Sequence, residues 1–424
     1  MSQKGSFKLT EDWTSLVLGF AIILLFLGGA HFAAPSFKWA TINDLTANVL
    51  TSENFFKILA QFALVYILSI LGYWLKGDAV GPIVKGLPLI YALTVIALIV
   101  AGNKALNNLN LEAVIICLAL GLIIRNFLHV PEWLKSALAT ELFVKIGLIL
   151  LGTSIIFGDI LKAGTLGLVQ SLVVVFSVWY FAFWLCRKLK VDEEMGLMIS
   201  SAVSICGVSA AIATSGAIEG DSKKLSYVIS MVLITAIPMM IFMPMIAGYM
   251  GLSQEVTGAW LGGSIDTSGA VVASGTLVGE EALKISTIVK FSQNVLLGVA
   301  AFAISVYWTY SKTAANENGH VQKPTLGVIW ERFPKFVVGF LIASLLFSFV
   351  LSEGTVAEVK GGIKSIQGLW FALAFTSIGL ETKFSELFSH ENKKPLYAFL
   401  LAQGFNILIT LLIASILFGG NFFE

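Results

Sequence analysis

Charge is what this chain has least of. Of its 424 residues only 12% are Asp, Glu, Lys or Arg, while 57% are hydrophobic and the mean hydropathy is +0.87. A soluble chain of this length needs far more surface charge, so the composition excludes one and points to an integral membrane protein. The few charges nearly cancel, at 27 basic against 26 acidic. No basic face is left for nucleic acid, which is excluded as a partner. Cysteine is almost missing: Cys117, Cys186 and Cys206 make neither a disulfide framework nor a metal-ligand spacing. The four histidines (His31, His129, His320, His390) are scattered, and HExxH, GxSxG and paired intramembrane aspartates are absent. An enzyme, a metal site and a cofactor are therefore not expected. Without a nucleotide-binding loop, ATP is not the expected energy source.

What is present is a succession of apolar runs. A bilayer crossing takes roughly 20 residues at 1.5 Å rise. Runs of that kind fall near 13–33, 54–75, 87–101, 111–128, 139–157, 165–186, 225–249, 285–310, 331–351, 366–382 and 395–418. The first follows Lys4 and Lys8 like a signal peptide but is too long for one. Two further segments, 195–217 and 256–278, are apolar yet rich in Gly, Ser and Ala. The longest polar connection is Ser311 to Pro334, and no stretch reads as a separate soluble domain. The expected fold is an all-α polytopic membrane protein with 11–13 transmembrane segments.

Lys and Arg set the orientation. With the N-terminus in the cytoplasm, one set of loops holds Lys76, Lys85, Arg125, Lys135, Arg187, Lys188, Lys190, Lys312, Lys323, Arg332, Lys335, Lys393 and Lys394. The other set holds mainly lone lysines, with two doublets if every segment spans. If 195–217 and 256–278 dip in and return, Lys223 and Lys224 move to the cytoplasmic side and the asymmetry improves. Both alternatives, crossing and re-entrant, remain open at this level. The expected location is the cytoplasmic membrane, with the N-terminus inside.

The chain carries two internal repeats. GTSIIFGDIL at Gly152 and GLETKFSELF at Gly379 match at Gly152/Gly379, Phe157/Phe384, Asp159/Glu386 and Ile160/Leu387, at a constant offset (379 − 152 = 227). By the orientation above they run in opposite directions, as in an inverted repeat. SICGVSAAIA at Ser204 and SIDTSGAVVA at Ser264 form the second pair, and both are followed by Ser-Gly. Gly and Ser make a helix break inexpensive, because Gly has little helix preference and Ser bonds freed backbone groups. A break leaves a half-helix with unpaired N–H groups and a positive dipole end. Two facing breaks would make a site for an anionic or polar solute. The competing reading is tight helix packing, which also wants small residues.

The chemistry concentrates around these segments. Asp266 is an acid inside an apolar segment, with the hydroxyls of Thr267 and Ser268 beside it; it also suits an N-cap. Lys290, Gln293 and Asn294 share one helical face. Lys290 could pair with Asp266, hold an anion, exchange a proton, or simply snorkel. Gln403, Asn406 and Gln170 read as helix glue, and Cys206 as a small filler.

At SICGVSAAIA the chain resembles the YeiH family, described as sulfate exporters. That family carries T-S-I-C-G-x-S-A, matched here by Ser204, Ile205, Cys206, Gly207, Ser209 and Ala210. Its second motif, G-T-A-I-H-D-T-S-Q-V-V-A-A-G, aligns without a gap on GGSIDTSGAVVASG, and V-K-L-T-R resembles Val289–Gln293. The family's His falls on Asp266, its Gln on Ala270 and its Arg on Gln293, so cationic groups are lost and an acid is gained. The likeness covers residues from about 87 onward, making 1–86 an added pair of spans and 87–424 the transporter core. It implies a secondary transporter with inverted repeats, an elevator-like core moving against a scaffold, and a homodimer. Its solute would be a small sulfate-like anion, coupled to a proton or sodium ion. Ser204, Cys206, Gly207, Ser209, Ser264, Thr267, Ser268 and Lys290 would bind the anion, with Asp266, Gln293 and Asn294 serving the coupling ion. The alternative is a cation/proton antiporter acting through Asp266.

Overall fold

The computed structural model describes residues 8–108, 112–313, 327–385 and 393–420. Among the described residues the fold is helical, and the one β-bridge joins Trp39 to Asn103. A membrane chain must satisfy its backbone within each segment, and helices do that. The main helices are α1 (Glu11–Leu27), α2 (Ser52–Lys76), α3 (Val80–Ala101), α4 (Ala113–Phe127) and α5 (Thr140–Gly152). They continue as α6 (Phe157–Lys188), α7 (Glu193–Ser201), α8 (Val208–Ile218), α9 (Ser222–Tyr249) and α10 (Gln254–Ser264). The last are α11 (Ser268–Val278), α12 (Glu280–Thr313), α13 (Lys335–Leu345), α14 (Glu353–Glu381) and α15 (Lys394–Phe418). Each of the eleven apolar runs overlaps one of these helices. Seven (α2, α3, α6, α9, α12, α14, α15) are long and apolar enough to cross a bilayer. The remainder of the eleven are shorter than a full crossing. Side-chain caps start many helices where the sequence supplies Thr, Ser or Asp: Thr51, Asp192, Asp221, Ser253 and Ser352 each accept a first-turn N–H.

The chain divides into two compact units, each discontinuous in sequence. The first comprises Met1–Phe157 and Lys335–Lys383, the second Gly158–Pro334 and Phe384–Glu424. In the first unit α5 packs on α1, α13 and α14, while α4 packs along α14. The α4–α14 contact is backbone on backbone: a Cβ at Gly121 would lie 2.5 Å from the Thr376 carbonyl oxygen, and one at Gly379 would lie 2.5 Å from that of Leu118. Gly152, the repeat partner of Gly379, sits equally close to the Phe340 carbonyl. So both repeat glycines mark helix crossings. Glu386 and Leu387 of that repeat lie outside the described residues, as do residues 314–326 of the polar connection.

The second unit holds both small-residue segments, and neither is a continuous helix. The first is α7, a π-turn over Ala202–Cys206, then α8; the second is α10, a short extended link, then α11. The backbone contact at Gly121 and Gly379 gives a direct test of the first unit's packing. Gly121→Ala and Gly379→Ala should each destabilise the detergent-solubilised protein by about 1–3 kcal/mol, because one added methyl meets backbone that cannot turn away. An unchanged melting temperature in both variants would contradict the contact.

Candidate functional site

Both broken segments are hairpins, which settles the crossing-or-returning question in favour of returning. In the first, Lys224 at the start of α9 reaches Asp192 (2.6 Å) and Glu194 (3.0 Å) at the start of α7, so the segment ends beside where it began. Leu197 near its start and Ile218 near its end pack in one apolar cluster. In the second, the Gln254 side-chain carbonyl accepts from the Ala282 N–H at 3.3 Å and lies against Gly279. The second arm of each hairpin packs on both following helices: α8 on α9 and α12, and α11 on α12 and α9.

The two tips meet. Gly207 turns the first at φ +58° and ψ −111°, a conformation only glycine adopts without strain. A Cβ there would lie 2.6 Å from Val232 and 3.0 Å from the Asp266 Cβ at the other tip. A hairpin tip carries one helix C-terminus, with bare carbonyls, and one N-terminus, with bare N–H groups. Four side chains donate to these carbonyls. Gln293 Nε2 donates to Ser204 O (2.8 Å) in one tip and to Gly263 O (3.3 Å) in the other. Asn406 Nδ2 does the same for Val203 O (3.0 Å) and Ser264 O (3.2 Å). Gln403 Nε2 adds a bond to Ser264 O (2.8 Å), and Lys290 Nζ donates to Ile205 O and to Gln293 Oε1, both at 2.8 Å. Thr410 Oγ1 donates to Asn406 Oδ1 (2.9 Å) and fixes which way that amide faces. Two amides thus each clasp both tips, from α12 and from α15.

The N-termini differ. Thr267 caps α11, accepting from the Ala270 N–H at 3.3 Å. No side chain caps α8, whose first backbone bond is Ala211 N–H to Gly207 O, leaving the N–H groups of Val208, Ser209 and Ala210 beyond it. The Asp266 side chain stands beside this bare end. Asp266 is 1% exposed and Lys290 2%, and the Lys290 ammonium bonds Ile205 O and Gln293 Oε1 rather than the Asp266 carboxylate. Asp266 Oδ2 has no hydrogen-bond partner.

Most residues named from sequence converge here. Ser204, Cys206, Gly207 and Ser264 line the tips and are buried; Thr267 and Ser268 are half-buried on the second tip. Gln293 and Asn294 sit on the clasping helix, and Asn294 Nδ2 contacts Ser268 Oγ at 3.4 Å. Ser209 is different: its side chain is exposed, and only its backbone N–H belongs to the tip. Gln403 and Asn406 do join helices, as their amides suggest, and the acceptors are the carbonyls at the two hairpin tips. The sequence signal is the pair of amides three residues apart on an otherwise apolar helix. Gln170 holds Ala259 O at 2.8 Å, farther back along α10.

These features define an all-helical, multi-pass membrane protein built around two re-entrant hairpins that meet tip to tip. The chain belongs to the family described as conserved hypothetical protein 698, whose family model matches residues 85–398, and this is the YeiH family that the tip motifs indicated. It is 36% identical over 396 residues to a UPF0324 membrane protein of Rhodopirellula baltica, covering 91% of this chain and 72% of that one. Two UPF0324 membrane proteins of Nitratidesulfovibrio vulgaris are 37% and 35% identical over 78% and 82% of this chain, which spans 58% and 62% of their lengths. No solved structure matches.

The clasp is testable. Asn406→Leu orphans the Val203 carbonyl and strips the weaker of two bonds from that of Ser264, and a buried unsatisfied group costs about 1–3 kcal/mol. Thermal melts in detergent should show Asn406→Leu several degrees below wild type and Ser209→Ala close to it; equal melts for all three would contradict the clasp.

Proposed function

We propose that the protein is a secondary transporter, not an enzyme, that binds a small sulfate-like anion at the hairpin junction and couples its movement to a cation. The supporting observation is the Asp266 carboxylate beside the bare N-terminus of α8. An ionised Asp266 and an incoming anion compete for the same positive end and for the field of Lys290. Neutralising Asp266 with a cation removes that competition, so anion and cation bind together. The coupling is reciprocal, since whatever the cation adds to anion affinity the anion adds to cation affinity. Burial of the tips means that access requires the hairpins to be exposed alternately to each side, by the elevator-like motion expected of such transporters. We place the protein in the cytoplasmic membrane with its N-terminus inside, as a homodimer in lipid.

A cation/proton antiporter is the second reading. It is favoured by one observation: a buried acid and a buried lysine lie near one site without pairing, so each can change charge as the other does. The two readings part in proteoliposomes. Under the first, radiolabelled sulfate uptake follows an imposed proton or sodium gradient, and Asp266→Asn, fixed in the neutral form, still exchanges sulfate but no longer responds to the gradient. Gradient-driven uptake that survives in Asp266→Asn would overturn the coupling role. Internal pH that answers added cations through Asp266, with no anion movement, would establish the second reading instead.

A further inference from the structure

The second hairpin tip is surrounded by buried oxygen atoms that no donor reaches. Ser264 Oγ, Asp266 Oδ2, Asn294 Oδ1 and Gln403 Oε1 have no hydrogen-bond partner, and their residues are 1%, 1%, 5% and 3% exposed. All four belong to the second tip or to side chains bonded to it. Gln403 is tied to the Ser264 carbonyl through its own Nε2, Asn294 is tied to Ser268 through its Nδ2, and Asp266 lies between those two serines in sequence. The side-chain ammonium and amide donors nearby are committed to backbone: Lys290 Nζ, Gln293 Nε2, Gln403 Nε2 and Asn406 Nδ2 all hold carbonyls of the tips. What remains is a carboxylate oxygen, two amide oxygens and a hydroxyl, all with lone pairs to offer. Leaving it unsatisfied in a buried site costs about 1–3 kcal/mol per group.

We infer that Ser264, Asp266, Asn294 and Gln403 form a sodium-ion site. A proton on Asp266 would serve one oxygen and leave both amide oxygens without a partner. A hard cation serves them all, because it binds carboxylate, amide and hydroxyl oxygens alike. One carboxylate among neutral oxygens matches the charge of a monovalent ion. The site rests on the hairpin junction being the transport site, and it identifies the coupling cation there. Sodium bound at Asp266 cancels the negative charge beside the α8 N-terminus, which is the condition for the anion to enter.

The test measures sodium alone, with no anion substrate present. Equilibrium binding of radiolabelled sodium to the purified full-length protein should saturate and resist competition by potassium. The melting temperature should rise in sodium chloride over choline chloride. Gln403→Leu and Asn294→Leu should each weaken sodium binding by roughly tenfold or more, and Asp266→Asn should abolish it. Comparing each variant with itself in the two salts separates lost sodium binding from a general loss of stability. Equal stabilisation by sodium and potassium, or a response to pH with none to sodium, would overturn the sodium site while leaving the proposed anion transport standing. Sodium binding without any anion flux would do the reverse.

Discussion

The structure depends on how two hairpin tips can be held inside a membrane protein. Each tip exposes carbonyls where one helix stops and N–H groups where the next begins. In a bilayer core nothing but protein can satisfy them. Here Gln293 and Asn406 each bond one carbonyl from both tips, and Lys290 and Gln403 complete the set. The polar residues of α12 and α15 are therefore explained by the carbonyls they hold. Once those are met, the chemistry left over is specific: a bare helix N-terminus at Val208–Ala210, a carboxylate at Asp266, and acceptor oxygens around it.

That remainder has opposite character on its two sides. Toward the first tip lie backbone donors and a helix dipole, which favour negative charge. Toward the second lie the Asp266 carboxylate and unpartnered oxygens of Ser264, Asn294 and Gln403, which favour positive charge. Asp266 stands between them. The proposed coupling of anion to cation draws on this division. Gly207 makes the approach possible, since any side chain there would collide with Val232 and Asp266.

Much of this was legible in the sequence. The apolar runs gave the helices because a membrane span is read from length and hydropathy. The pairing of SICGVSAAIA with SIDTSGAVVA located both hairpins, since Gly and Ser are where helices break. Asp266, Lys290, Gln293 and Asn294 stood out as polar groups on apolar faces. The return of each hairpin was not decidable, because it depends on Lys224 and Gln254 contacting the far end of their own segments. That Gln403 and Asn406 bind helices together was readable, but not which carbonyls they hold, because an amide in a membrane helix bonds equally well to a neighbouring helix or to a broken one. The outward turn of the Ser209 side chain also follows from the rotation of α8, which the motif does not encode.

The central claim is that the anion sits on the bare N-terminus of α8. Crystals soaked in selenate with sodium present would test it most directly, through the anomalous signal of selenium. The account predicts a peak within hydrogen-bond distance of the N–H groups of Val208, Ser209 and Ala210. A selenate peak elsewhere in the protein, with these groups unoccupied, would contradict it.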